Sequence, residues 1–177
     1  MVASVLPLAG FEQLSYRDLF LQRLAIDPHR ASTLELAAVA RERLDIQAAE
    51  LRREEWLDLL MSHLIEPDLN GDRAWFVVDF PASQASLSRV EADAQGEPVA
   101  RRFELFIKGM EIANGYDELR DADELARRFD ADNRARKQAA LPAIPADEGL
   151  LGAQRAGLPA TCGVALGLDR LLMLQLG

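Results

Sequence analysis

Three glutamates stand seven residues apart in one β-rich stretch: Glu104, Glu111 and Glu118. On an unbroken strand an odd spacing puts successive residues on opposite faces. Gly109 and Gly115, between them, mark turns or bulges that can re-aim the side chains. Two carboxylates aimed at one point repel. Their natural counter-charge is Mg²⁺, which takes oxygen ligands and shares itself with substrate phosphates. Exposed strand glutamates in a Glu-rich protein would show the same spacing, so the pattern alone leaves both readings open. A second segment, Gly163-Val164-Ala165-Leu166-Gly167-Leu168-Asp169-Arg170, reads as a strand running into a helix. Gly167 lets a ligand approach the backbone closely, and a helix start favours an anion. Arg170, in the first turn, can clamp phosphate with its planar fork. Asp169 suits the same helix end, either as a dipole partner or by orienting Arg170. The competing reading is an ordinary strand-to-helix turn with a surface salt bridge.

The other reactive side chains carry weaker signals. His29 and His63 stand alone, without a metal-ligand spacing partner. Cys162, the single cysteine, has no basic neighbour and reads as a small buried side chain. Ser83 and Ser86 sit in a loop with no nucleophile-elbow pattern, and Trp56 and Trp75 read as core. Arg101-Arg102 and the run from Arg127-Arg128 to Lys137 are the candidate basic patches, the latter most simply a solvated helix face. Twenty Lys and Arg against 29 Asp and Glu give a net charge of −9, which argues against non-specific nucleic-acid binding. One cysteine excludes an intramolecular disulfide and a cysteine metal cluster. No apolar run is long enough to span a membrane, and the start of the chain lacks a basic leader, so the cytoplasm is the expected compartment.

The elements that must position these residues are legible in outline. The 177 residues, 49% of them hydrophobic, suit one domain with a real core. Helices are predicted over Leu14–Ala25, from Ser15 with Asp18 to the stop at Pro28, and from Ser32 with Glu35 to about Leu44. A third runs over Arg53–Glu66, with Trp56, Leu57, Leu60 and Leu64 on one face, and stops at Pro67. Strands are predicted over Ala74–Phe80, Phe103–Lys108, Glu111–Leu119 and Thr161–Leu166, with a loop over Ala82–Val90 leading to another. Helices are predicted over Asp121–Ala140, Asp147–Ala156 and Leu168–Leu176. Helices first, then mostly antiparallel strands with helices on one side, make the class α+β.

Together the two segments are more specific than either alone. FELFIKGMEIANGYDEL (Phe103–Leu119) followed by GVALGLDRLLML (Gly163–Leu174) resembles the back half of a class II aminoacyl-tRNA synthetase core of the lysyl type. The second segment resembles that class's motif 3. Within the group the chain resembles the elongation factor P lysine ligases, paralogues of lysyl-tRNA synthetases. PASQASL (Pro81–Leu87) resembles the ligases, where the synthetases carry Ser-Pro-Leu-Ala. Ala165 stands where lysyl-tRNA synthetases usually have glycine, and its methyl group can reshape the amino-acid pocket for another lysine isomer. The resemblance runs through LSYRDLFLQRLAIDP and covers almost the whole chain after about Leu14.

The resemblance implies an ATP-dependent, AMP-forming ligase. (R)-β-lysine attacks the α-phosphate of ATP, and the resulting adenylate is captured by a lysine ε-amine of elongation factor P. A lysyl-tRNA synthetase fragment, with tRNA as partner, and a non-catalytic binding remnant are the alternatives. By the resemblance, Glu104 and Glu111 hold Mg²⁺, and Glu111 and Ile112 border the nucleotide. Glu118 pairs with a substrate ammonium, with Asn114, Tyr116 and Ala165 lining that pocket. Gly167 passes close to ATP, and Arg170 is the catalytic residue gripping the terminal phosphate. The intact family is homodimeric through motif 1, and its motif 2 arginine contacts the α-phosphate. Neither motif is found in these 177 residues, nor is the tail after motif 3. The expectation is therefore one partial catalytic domain, with a helical insertion-like unit over 14–70 and the sheet and motif 3 region over 74–177. Such a piece would not form an adenylate by itself and would expose apolar surface.

Overall fold

The computed structural model describes residues 6–46 and 51–176. Strand β1 (Gly10–Ser15) pairs in parallel with β2 (Arg73–Pro81). The sheet continues antiparallel through β4 (Pro98–Ile107), β5 (Met110–Asp117) and β6 (Cys162–Leu166), while the short β3 (Val90–Ala92) pairs with the start of β4. The sequence reading did not contain β1. Its partner lies beyond three helices, and a parallel pair needs such a crossover, so nothing local announces it.

Those helices are α1 (Tyr16–Leu24), α2 (Thr33–Arg43) and α3 (Arg53–Leu60). Ser15 caps α1, accepting from the Asp18 N–H at 3.0 Å. Ser32 and Glu35 close a full capping box on α2, satisfying donors that the helix start leaves free. The predicted single helix over Arg53–Glu66 is broken: after Leu60 it widens into a π-turn over Met61–Ile65 and tightens into a 3₁₀ turn over Glu66–Asp68. Tyr16, Phe20, Leu36, Trp56 and Leu60 pack with Val77, Phe80 and Phe106 in one buried cluster on one sheet face.

Helices cover both faces, not one. Beyond β5 come α4 (Ala122–Gln138) and α5 (Glu148–Gly157), capped by Asp121 and Asp147. After β6, α6 (Leu168–Leu176) places Leu171 against Leu105, Ile107, Ile112 and Ala113 on the opposite sheet face. The β6–α6 end is thinly covered, with Val164 65% and Leu176 78% exposed. Cys162, expected to be buried, is exposed, because it opens β6, which has a neighbour on one side only. Trp56 is core as expected, whereas Trp75 is half-buried and donates to the Asn70 carbonyl at 3.3 Å. Among the described residues no helix is long and apolar enough to cross a membrane.

Candidate functional site

The hairpin of β4 and β5 sets the acidic residues. Its two-residue turn, Lys108-Gly109, has positive φ at both positions (52° and 73°), the geometry that matches strand twist. It fixes the pairs Ile107–Met110 and Phe106–Glu111. The next pair is Leu105 with Ala113, so Ile112 is an extra residue in a β-bulge. Past the bulge Glu104 faces Asn114 and Arg102 faces Tyr116. The bulge shifts the alternation by one. Glu111 already shares the face of Glu104 through its partner Phe106, and the shift brings Asn114, Tyr116 and Glu118 onto that face despite their odd spacing from Glu111. Asn114 reports this directly, donating to Glu111 Oε1 at 3.1 Å. Ile112 is not brought to this face: its side chain is 1% exposed, in the cluster under α6.

Strand β6 extends the same face. Asn114 pairs with Ala165, and Tyr116 with Gly163. A Cβ on Gly163 would lie 2.4 Å from Glu118 Oε1, so glycine is what lets that carboxylate rest over the strand. Among the described residues Glu118 makes no salt bridge, which leaves a half-buried anion available to a cation. Gly167 donates its N–H to the Ile112 carbonyl at 2.8 Å and accepts from the Leu171 N–H at 3.0 Å, launching α6 from the bulge. A Cβ at Gly167 would meet only ordinary contacts, so the chain's own packing does not demand glycine there. Arg170 reaches back to Glu111, with Nη1 donating to the backbone carbonyl at 2.7 Å and lying 3.2 Å from Oε2. Glu111, rather than Asp169, thus orients Arg170.

A cleft of about 640 Å³ opens on this face, with Glu104 and Glu111 in its floor. Asp58, Glu66 and Gln84 line it from the α3 side and the Pro81–Leu87 segment. Burial pushes the Glu104 carboxyl up to about 7, against the lowering effect of Arg102, and Glu111, Glu66 and Asp58 add to the rise. Burial also raises Asp58 and Glu66, and Glu111 reinforces the rise at Glu66. Among the described residues no three acidic, His or Cys side chains are grouped to hold a metal unaided. Mg²⁺ asks for less, commonly one or two carboxylates plus phosphate oxygens and water. Glu104, largely shielded from water, and Glu111 are a hard-oxygen pair in a cleft whose lining is more acidic than basic, and they fit that ion.

Sequence reasoning missed Arg102, Asp58, Glu66 and Gln84 as parts of this cleft. Only Arg102 had a usable signal, its place two residues from Glu104 on one strand, which guarantees a shared face. The proposed Arg101-Arg102 basic patch does not exist, because adjacent strand residues point to opposite faces. Arg101 pairs with Asp79 at 2.8 Å, and Arg102 turns inward onto Glu104. Arg127 and Arg128 are both tied to Glu124, and Arg128 also donates to the Ser86 and Ser88 carbonyls at 2.7 and 2.8 Å. His29 is half-buried among Arg17, Asp27 and Asp93, and burial lowers its pKa. Ser62 Oγ lies 2.8 Å from the exposed His63 Nδ1.

Residues 9–177 match the family of class II tRNA synthetases (D, K and N). The chain is 46% identical to the elongation factor P–(R)-β-lysine ligase of Enterobacter sp. (strain 638), an alignment covering 100% of this chain and 54% of that protein. Against the same-named proteins of Yersinia enterocolitica and Salmonella typhi the identities are 43% and 44%, again covering 100% of this chain and 54% of each relative. The chain therefore spans about half the length of the curated relatives it matches.

Proposed function

The chain belongs to the class II tRNA synthetase family (D, K and N), and from that premise we propose that it carries the nucleotide- and amino-acid-binding part of an ATP-dependent ligase for (R)-β-lysine. The acceptor in this reading is a lysine of elongation factor P, the protein for which the relatives are named. One observation supports it above the others: Arg170 contacts Glu111, Glu104 lines the same cleft as Glu111, and Asn114, Tyr116, Ala165 and Glu118 share their sheet face.

The chemistry fits the layout. A substrate carboxylate attacks the α-phosphorus and pyrophosphate leaves; an amine then attacks the acyl carbon and AMP leaves. Both steps depend on positioning and on stabilising charge. Glu104 and Glu111 would hold Mg²⁺, which neutralises phosphate charge. The Arg170–Glu111 pair is self-neutralised in the ligand-free chain. A Mg²⁺-bound triphosphate brings a cation for Glu111 and an anion for Arg170, so it can replace that pair without leaving either charge alone. Glu118 would accept from a substrate ammonium, with Asn114 and Tyr116 beside it and the Ala165 methyl limiting the pocket. Ile112 would border the nucleotide through its backbone only, its carbonyl being held by Gly167.

Calorimetry of this chain with ATP and Mg²⁺, then with (R)-β-lysine, tests the reading. Binding of both is expected, with nucleotide binding lost in Arg170→Ala and β-lysine binding lost in Glu118→Gln. No heat from either ligand would refute it. Turnover is read separately by ATP–pyrophosphate exchange. These 177 residues alone are expected not to support it, since the family's α-phosphate arginine is not among them. Ala165→Gly in a full-length relative separates the ligase from the lysyl-tRNA synthetase alternative: a shift toward α-lysine supports the ligase pocket, and unchanged preference counts against it.

A further inference from the structure

Arg102 has no role in the reading above, yet it touches three of its parts. It lies on β4 two residues before Glu104, with its side chain 13% exposed. Nη2 donates to the Glu104 carboxylate. Nη1 donates to the Gln84 carbonyl at 2.9 Å, in the turn of the Pro81–Leu87 segment. The guanidinium carbon lies 4.4 Å from the ring centroid of Phe80 and 5.5 Å from that of Tyr116. We propose that Arg102 is a positioning residue that fixes the Glu104 carboxylate and the Tyr116 ring relative to each other, so that the metal-holding end and the amino-acid pocket are set as one unit. The roles given to Glu104 and Tyr116 come from the proposed function, and the inference rests on them.

The arrangement uses both properties of a guanidinium. Its faces meet aromatic rings, and its edge donates along fixed directions to two oxygens. A lysine ammonium supplies the charge but neither the plane nor the fork. The Nε–H is buried without an acceptor, so these contacts, rather than a full set of hydrogen bonds, determine where the group sits. Removing the guanidinium also leaves Glu104 buried near Asp58, Glu66 and Glu111 with no cation in contact, the costly half of a broken buried pair. Gln84 belongs to the segment that distinguishes the ligases by resemblance, and its amide donates to Asp58 at 2.7 Å. Arg102 thus ties that segment to the sheet.

Two measurements on this chain test the proposal. The first needs no ligand: the Tyr116 ring signals are followed by NMR, assigned with Tyr116→Phe. Glu104→Gln is expected to shift them in the wild-type background and to leave them unmoved in Arg102→Lys. No shift, or the same shift in both backgrounds, overturns the proposal. The second is calorimetry with Mg²⁺–ATP and with (R)-β-lysine. Arg102→Ala is expected to weaken both by roughly tenfold, about the loss of one hydrogen bond to a charged group. Arg102→Lys is expected to bring Mg²⁺–ATP back to within about threefold of wild type while β-lysine stays roughly tenfold weaker, because charge alone is restored. Recovery of both ligands with lysine, or no loss with alanine, overturns the proposal. If Arg102→Ala does not fold, the lysine variant carries the comparison. If the wild-type chain binds neither ligand, the functional reading fails, and the NMR arm still decides the positioning role.

Discussion

Replacing Glu104 by glutamine should change how the stability of this protein depends on pH. Glu104 is 16% exposed at its side chain, and its carboxyl is raised from 4.5 to about 7, first by burial and then by Glu111, Glu66 and Asp58, with Arg102 opposing. The folded state therefore holds this proton more tightly than the unfolded state does. Stability from the protonated group is fully present below about 4.5 and is lost as pH rises through about 7. At about 1.4 kcal/mol per pH unit, that rise corresponds to roughly 3 kcal/mol. Glutamine has nearly the same volume and does not titrate. Any difference between the glutamine amide and the protonated carboxyl adds an offset that does not change with pH, whereas the attraction of Arg102 acts only on the ionised group and is already contained in the raised value. Urea unfolding of wild type and E104Q from about pH 4 to about pH 8 isolates the titrating part. The difference, wild type minus E104Q, should fall by roughly 3 kcal/mol toward high pH. Saturating Mg²⁺ at the alkaline end should restore stability to wild type more than to the variant, because an ion that binds only the folded state stabilises by mass action. A difference that stays flat, or that grows with pH, would falsify the account of Glu104 as a carboxylate held out of water.

Three further outcomes follow from contacts around the site. In Gly115→Ala the new Cβ would lie 2.4 Å from the Phe103 ring and 2.9 Å from the Gly163 carbonyl; the chain should lose about 1–3 kcal/mol in urea unfolding, the usual cost of overpacking. Gly163→Ala meets mainly the Glu118 carboxylate. It should cost roughly tenfold or more in β-lysine affinity by calorimetry, about one charged hydrogen bond, with nucleotide binding nearly unchanged. Arg170→Ala frees Glu111 from an exposed salt bridge. Urea unfolding should change by under about 1 kcal/mol, as for other surface pairs, while Mg²⁺–ATP binding is lost. A large destabilisation would make Arg170 structural instead.

Local chemistry is what residue order alone makes legible. Ser15 and Ser32 each cap the helix expected of them, and the helices expected from Asp121 and Asp147 begin there with those aspartates as caps, since a cap is a bond between a side chain and a backbone N–H two or three residues away. The strands of the β4–β5 hairpin and the β6–α6 passage were legible from residue type and glycine spacing for the same reason. The strand over Gly10–Ser15 was not, because its pairing with β2 depends on a segment more than fifty residues away. The π-turn after Leu60 was equally hidden, since the apolar spacing of Arg53–Glu66 fits a continuous helix. The residues of the candidate site were named from the sequence, but their convergence was not. Glu111 shares the face of Glu104 through its hairpin partner Phe106, but Asn114, Tyr116 and Glu118 reach that face only because Ile112 bulges out of register, and a bulge is settled by the partner strand and by what packs beneath it. Asp58, Glu66 and Gln84 reach the same cleft from distant elements, where chain folding places them and no local pattern points to them. Tertiary structure also decided the partner of Arg170. Asp169, its neighbour in sequence, forms no salt bridge with it, and Glu111, 59 residues away, takes its guanidinium.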